Sequence, residues 1–394
     1  MAVNGPRILL GFAESLAAVE SAWCLRDAGF EVVAFTRAGI RPALASARGV
    51  RVLPVPAPES GVAETAVAVA ALIDAERPAA VLPLDDAALL VVDRLPPGDT
   101  AIAGPDRDAL RVALDKSEQL ALARKAGFAV PETLTVQPGP PPAEVLPGAG
   151  PWMVKSALAV VETDGRLGRP AGRIATEAGE VAAVAAGIGG PALVQPLVDG
   201  TGEGLFGYAA GGEVYALSAH RRIRMMNPRG SGSSACASVP VDPDLVEPAR
   251  QFLAEAGWQG IFMLELLRDA AGQAWFMELN GRAWGSMALA RHRGLPYPEW
   301  AVRGTLDPAF RPPAGPEAPH LVCRHLGREA VHLLAVLRGA RGADAGRWPG
   351  RAATLAAMLR PRRGTRWYHA RRGETAVLAR DTWQTVSAQL RRRG

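Results

Sequence analysis

The sequence predicts an α/β chain that opens as a doubly wound parallel sheet and continues into a mixed α+β unit. Three observations predict it: an early strand–helix–strand alternation, two later hairpin signals, and a helical, arginine-rich C-terminal stretch. Residues 7–12 read as a buried strand, Ser15 to Ala28 as a helix stopped by Gly29, and Glu31 to Phe35 as a second strand. Residues 51–55 and 79–84 add short apolar strands around a helical Val62 to Ala75. Asp115, Lys116 and Ser117 open a helix that runs to Lys125, before Gly127 and Pro131. Residues 137–151 are crowded with Pro and Gly, which marks a boundary. Beyond it, residues 151–155 and 192–195 read as strands, Asp164 to Gly172 as a loop, and Ala178 to Ala186 as a helix. Gly211 and Gly212 join strands at 204–209 and 213–218, and a turn at 268–273 joins strands at 261–267 and 274–279. After Pro298, amphipathic helices are expected at 328–338, 350–360 and 379–393.

The opening unit is Rossmann-like in outline. Its first turn, at Gly11, lacks the Gly-x-Gly-x-x-Gly pattern, so no dinucleotide site is read there. With 394 residues, 48% hydrophobic and 21% charged, the chain has enough apolar content for two to three packed units. No export signal and no apolar run of membrane-spanning length is visible, so a cytoplasmic protein with no membrane span is expected. Cys24, Cys236 and Cys323 lie far apart without ligand spacing and read as reduced structural thiols.

Residues 311–394 hold 17 Arg against five Asp or Glu, whereas the whole chain is only +5. That asymmetry reads either as an acidic partner's footprint or as solvated helix faces. No interleaved aromatics or groove-reading motif accompany it, so no specific nucleic-acid partner is expected. Lysine is nearly absent, with Lys116, Lys125 and Lys155 the only three among 44 basic residues. A retained lysine in such a chain points to a position that needs a compact ammonium.

The sharpest chemical signal is Glu265 with Glu278 and Asn280, followed by Arg282. Strand alternation puts Glu278 and Asn280 on one face, and the hairpin can bring Glu265 beside them. Two carboxylates and an amide oxygen make a hard oxygen site suited to Mg²⁺, with Mn²⁺ as an alternative ion. Arg282 then offers a forked donor to a transferring phosphoryl group. The same residues also read as the polar face of an exposed hairpin. Arg222 and Arg224 alternate to one side if their segment is extended and could hold a triphosphate or a carboxylate, and the neighbouring Gly and Ser residues at 230–234 permit close ligand approach. His220 is a weaker candidate for a base.

In this order the pieces resemble the ATP-grasp superfamily, in its carbamoyl-phosphate-synthase-like, carboxylate-amine ligase branch, over about residues 7–305. The resemblance implies a pre-ATP-grasp domain at 1–113, an ATP-grasp α+β domain at 114–306 with a mobile lid at about 132–195, and a basic helical extension at 307–394. It implies ATP bound by Lys116 and Lys155, by a hinge at Gln195, Pro196 and Val198, and by Glu203 near the ribose. Glu265, Glu278 and Asn280 become the metal ligands, with Arg282, Arg222 and Arg224 as catalytic residues. The implied reaction joins a small-molecule carboxylate to an amine through an acyl phosphate and releases ADP and phosphate, and the resemblance allows a homodimer. Asp85 and Asp86, at a strand end, are candidates for amine selection. Two features depart from the family pattern: the segment after Lys155 is poor in glycine, and Gln195 stands where many relatives carry Glu. A small-molecule kinase or a carboxylase-like subunit on the same nucleotide site is the alternative enzyme reading.

Overall fold

The computed structural model describes residues 5–96, 98–137, 146–228, 230, 232–313, 320–340, 348–360 and 364–391. Most of the Pro/Gly crowding expected at 137–151, Ser231, and the last residues of the helix expected at 379–393 lie outside them.

The first sheet contains β1 (Arg7–Gly11), β2 (Glu31–Arg37), β3 (Val50–Val55), β4 (Ala80–Pro83) and β5 (Ala101–Ile102), with α1 (Ala18–Asp27), α2 (Val62–Glu76) and α3 (Asp86–Asp93) between them. All five strands are parallel, in the order β3-β2-β1-β4-β5. Ile8, Leu9 and Leu10 are fully buried, so both faces of β1 are covered, which explains its unbroken apolar run. The strand order reverses between β1 and β4, and their C-terminal ends therefore open a crevice where ligands bind in such sheets. The sequence reading passed over α3 and over α4 (Arg107–Leu114). Each begins on an Asp cap, Asp85 accepting from the Ala88 amide at 2.8 Å and Asp106 from the Ala109 amide at 3.0 Å.

The helix α5 (Lys116–Lys125) leads into a small antiparallel sheet of β6 (Leu134–Val136), β7 (Trp152–Ser156), β10 (Arg173–Ala175) and β11 (Ala192–Pro196), ordered β10-β7-β11-β6 and backed by α6 (Ala178–Ala186). Part of the loop expected at 164–172 is a strand instead. Asp164 and Gly165, at φ of 50° and 72°, turn a hairpin of β8 (Val161–Thr163) and β9 (Arg166–Gly168). This hairpin docks on the first unit, where the Val62 amide donates to the Gly165 carbonyl at 2.8 Å and Arg169 meets Asp85 at 3.1 Å.

The largest sheet runs β16-β15-β12-β13-β14-β17-β18. It is formed by β12 (Thr201–Ala210), β13 (Glu213–Met225), β14 (Ser233–Val239), β15 (Gly260–Arg268), β16 (Ala274–Asn280), β17 (Val322–Arg324) and β18 (Thr365–Trp367). Helices α7 (Val246–Glu255), α8 (Met287–His292), α9 (Tyr297–Leu306), α10 (Leu326–Arg338), α11 (Arg351–Leu359) and α12 (Thr375–Arg391) surround it. Gly211 and Gly212, at φ of 61° and 79°, make the expected tight turn between β12 and β13. The sequence beyond residue 306 is not purely helical: β17 pairs with β14, and β18 extends the same sheet. Several of its arginines are held in ion pairs, Arg371 with Asp27 at 2.6 Å and Arg324 with Glu329 at 2.6 Å, as solvated or packed faces would have them.

On one face of this sheet Phe128, Phe252 and Phe276 pack together under α5 and α7. On the other, Phe206, Trp284 and Tyr297 join the core of the first unit at Ile8 and Trp23. Each fully buried ring contributes roughly 1.5–3 kcal/mol, so this shared core fixes the first unit against the large sheet. Among the described residues no helix is long and apolar enough to cross a membrane.

Candidate active site

Glu265 on β15 lies directly opposite Glu278 on β16, and Asn280 follows opposite Met263. The packing of α5 against β16 brings a lysine to this pair. Buried Gln119 accepts from the Leu279 amide at 2.9 Å and donates to the Leu279 carbonyl at 3.3 Å, so the helix start falls over Glu278. Asp115 caps that start by accepting from the Ser117 amide at 2.8 Å. Lys116 Nζ then sits 2.9 Å from Glu278 Oε2. Burial acts to raise the Glu278 pKa, but Lys116 outweighs it and holds the carboxyl below its usual range.

Glu265 is reached from two strands away. Arg222 on β13 crosses β12 and meets Glu265 Oε1 at 2.7 Å. The crossing needs Gly202 on β12, because a Cβ there would stand 2.6 Å from the Arg222 side chain. Lys155 on β7 faces the same cluster. Burial pulls its pKa down to about 8, the Lys116 charge adds to the drop, and Glu278 and Glu265 oppose it.

A cleft of about 700 Å³ joins these groups. Lys116, Lys155, Glu265, Glu278 and Arg222 form its polar end, and Gln195, Pro196 and Val198 line the hinge wall. The Gln195 amide is turned away to Thr133, 2.8 Å from its hydroxyl, so the hinge offers backbone groups rather than this side chain. A second chamber, of about 680 Å³, shares Arg222 and Glu265 with the cleft. Asn280 and Arg282 line it, as do Glu14, Ser15 and Asp85 at the β1/β4 crevice. Arg282 is held by Asp86, the first residue of α3, through bonds of 3.0 and 3.2 Å. Burial works against the Arg282 charge, but Asp86 keeps its pKa above the ordinary value.

Two sequence assignments change. Glu203 does not face the cleft: it lies on the opposite face of β12, bonded to Arg221 and Arg268 at 2.8 Å each. Gly202 lines the cleft, so alternation along β12 turns Glu203 away from it and removes its ribose role. Arg224 and Arg222 do not act as one pair. Both border the cleft, but the β13–β14 register shifts between them, and the Arg224 guanidinium is taken up by Glu329 on α10, where Arg324 also binds at 2.6 Å. His220 is buried against Phe206 and, with its pKa pushed down to about 3 by burial and the Arg222 charge, stays neutral. Cys236 is fully buried and its pKa is pushed up to about 11, which removes it as a reactive thiol. Sequence reasoning missed Gln119, which ties α5 to β16, and Arg37, Arg328 and Tyr368, which line the chamber. Of these only Gln119 left a signal, as a polar residue in the buried stripe of α5.

The donors fit a divalent cation: two carboxylates facing each other across β15 and β16, with an amide two residues further along β16, are hard oxygen ligands, and each carboxylate has more acceptor sites than its present partner uses. No family model matches the sequence, and no curated protein matches it. Among solved structures, L-amino acid ligase from Bacillus licheniformis is similar over 77% of this chain and 74% of its own, at 13% identity and a TM-score of 0.59. A complex of biotin carboxylase with β-γ-ATP from Campylobacter jejuni is similar over 82% of this chain and 75% of its own, at 15% identity and a TM-score of 0.59. N5-carboxyaminoimidazole synthetase from Staphylococcus aureus is similar over 81% of both chains, at 11% identity and a TM-score of 0.58. The likeness shows that this chain has the ATP-grasp fold.

Proposed function

From that fold and that cleft we propose that the chain is an ATP-dependent ligase that activates a carboxylate as an acyl phosphate and passes the acyl group to an amine. The observation that carries the reading is the Glu265–Glu278 pair, held by Arg222 and Lys116, at the junction of an elongated cleft and a second chamber. The structures it resembles include complexes with β-gamma-ATP, and with magnesium ADP and bicarbonate, which supports ATP and Mg²⁺ as the groups bound here.

In this reading ATP lies in the cleft, with its base against the backbone at 195–198 and its phosphates toward Lys155 and Lys116. Glu265, Glu278 and Asn280 would hold Mg²⁺, which would supply charge neutralisation for the phosphates. A substrate carboxylate oxygen, approaching from the chamber, attacks the γ-phosphorus, and the bond to ADP breaks. Arg222, which borders both spaces, offsets the charge that accumulates between them. The amine then attacks the acyl carbon, the C–O bond to phosphate breaks, and the amine loses a proton. The small sheet carrying Lys155 acts as a lid that keeps water from the acyl phosphate.

The test is ADP release from ATP and Mg²⁺ with panels of acids and amines, repeated with Glu278→Ala. Release that requires both an acid and an amine, and that disappears in the folded variant, is the expected result. A stable phosphorylated product formed without an amine would replace ligation with kinase chemistry.

A further inference from the structure

Five arginines line the chamber, and four of them have a carboxylate partner. Arg37 binds Glu14 at 2.7 Å and Glu59 at 2.9 Å, and Arg169 binds Asp85 at 3.1 Å. Arg222 binds Glu265 at 2.7 Å and Arg282 binds Asp86 at 3.0 Å. Arg328, in the first turn of α10, has no carboxylate partner among the described residues. Its Nη1 donates to the Ser233 carbonyl at 3.0 Å, and the rest of its fork has no partner among the described residues. Gly232 leaves it room, since a Cβ there would stand 2.6 Å from the guanidinium. The helix bearing it is fixed from behind, where Gly327 packs against Thr382 and Thr385 of α12.

The same chamber is lined by polar atoms that are buried and unpartnered among the described residues. They are Nε1 of Trp284, Oγ of Ser286 and both ring nitrogens of His220, in residues 1%, 6% and 3% exposed. Buried polar groups in folded proteins are paired, and a cation away from water is costly unless an anion joins it. One arginine without a carboxylate partner among the described residues, with neutral donors around it, matches a single negative charge rather than a phosphate dianion. The planar fork of Arg328 suits a carboxylate bound through both oxygens.

We propose that Arg328 anchors a carboxylate that takes no part in the reaction, so one of the two substrates carries a free carboxylate in addition to its reacting group. This rests on the ligase reading and deepens it. It also gives the arginine-rich C-terminal stretch a role, as the part of the chain that supplies the specificity residue. The chemistry is the same whether the anion belongs to a dicarboxylic acid or to an amine that is itself an amino acid.

The test uses the full chain with ATP, Mg²⁺ and pairs drawn from the proteinogenic amino acids and short mono- and dicarboxylic acids. Productive pairs are expected to contain a non-reacting carboxylate. Converting that group to a primary amide should raise KM roughly tenfold or more, as expected for a charge-assisted bond. Making the change first on the acid and then on the amine identifies its source. Arg328→Gln should erase the preference for carboxylate over amide, and Arg328→Lys should keep part of it, while binding of a fluorescent ATP analogue is unchanged in both. Equal turnover of carboxylate and amide by the natural protein, or a preference that survives in Arg328→Gln, would overturn the proposal. Because nucleotide binding and amine-dependent ADP release are read separately, such a result leaves the ligase reading standing.

Discussion

Glu265 and Glu278 face each other across β15 and β16, and each is already held by a cation from a different element, Arg222 from β13 and Lys116 from α5. In the proposed site, Arg222 and Lys116 stand where a metal and phosphates would bring further charge. Replacing Glu278 with Gln removes a proposed metal ligand and also leaves Lys116 and Lys155 repelling each other. Magnesium-dependent ADP release should fall roughly a hundredfold or more, the scale of a lost metal contribution. The thermal midpoint should drop as well. Unchanged kcat at saturating Mg²⁺ would remove the carboxylate from the metal site.

Lys155 gives the cleft a pH signature. Its pKa is about 8 in the folded protein, below the value of about 10.4 for a free lysine. The folded state therefore binds this proton less tightly than the unfolded state does. The cost of burying the charge is fully present below the folded pKa and is relieved as pH rises through it toward the unfolded value. Phosphates beside Lys155 should raise its pKa again. Nucleotide binding near pH 8.5 should thus take up roughly half a proton or more, seen as a dependence of calorimetric enthalpy on buffer ionisation. Lys155→Met should abolish that uptake.

Glu203 separates the two faces of β12. It is bonded to Arg221 and Arg268 behind the cleft, so Glu203→Gln should leave KM for ATP within about twofold while lowering the melting temperature, because two arginines lose a buried partner. A large rise in KM without loss of stability would restore a nucleotide role.

The Glu203 and Arg224 cases show what the sequence could carry. Period-two alternation located Glu278 and Asn280 because β16 is regular from Glu278 to Asn280, and the hairpin placed Glu265 opposite. Applied to β12, the same rule separates Glu203 from its glycine neighbours, but only once the cleft face is known. Arg224 was not legible in this way, because a register shift interrupts β13 between it and Arg222. The β17 and β18 strands are three residues each, too short to stand out from the helices around them. Arg328 left no signal either, since its lack of a carboxylate partner among the described residues depends on where the neighbouring arginines find their acids.

Arg224 and Arg324 share Glu329, which is 2% exposed and also accepts from the Ser234 hydroxyl at 2.7 Å. Although burial alone would raise its pKa, these partners hold it below the usual range. Its contribution is therefore present at neutral pH and is lost as pH falls through the folded pKa. Glu329→Gln should cost about 3–5 kcal/mol in denaturant unfolding, as expected for a buried pair losing one member. Arg224→Ala should likewise lower stability with little change in KM for ATP. A raised KM at unchanged stability would return Arg224 to the phosphates.

Asp381 on α12 lies at ion-pair distance from two buried histidines, 3.2 Å from His325 Nε2 and 3.3 Å from His369 Nδ1. His325 also caps α10, its Nδ1 accepting from the Arg328 amide at 3.3 Å, which leaves Nε2 as the protonated nitrogen toward Asp381. Burial lowers the His325 pKa despite Asp381. For His369 burial acts the same way, but Asp381 and Glu20 outweigh it and the pKa rises. A raised histidine contributes stability below its unfolded pKa, near 6.5, and loses that contribution as pH rises through the folded value. Asp381→Asn removes the anion that sustains the His369 charge. The variant's deficit in melting temperature should be greatest below about pH 6.5 and should shrink toward alkaline pH. His369 Nε2 lies 3.2 Å from the carbonyl of Leu16, and Leu16 itself lines the chamber. Loosening this cluster should therefore raise KM for the substrate in the chamber before it affects ATP, and should expose α12 to limited proteolysis. A deficit that does not vary with pH would assign the histidines to packing alone.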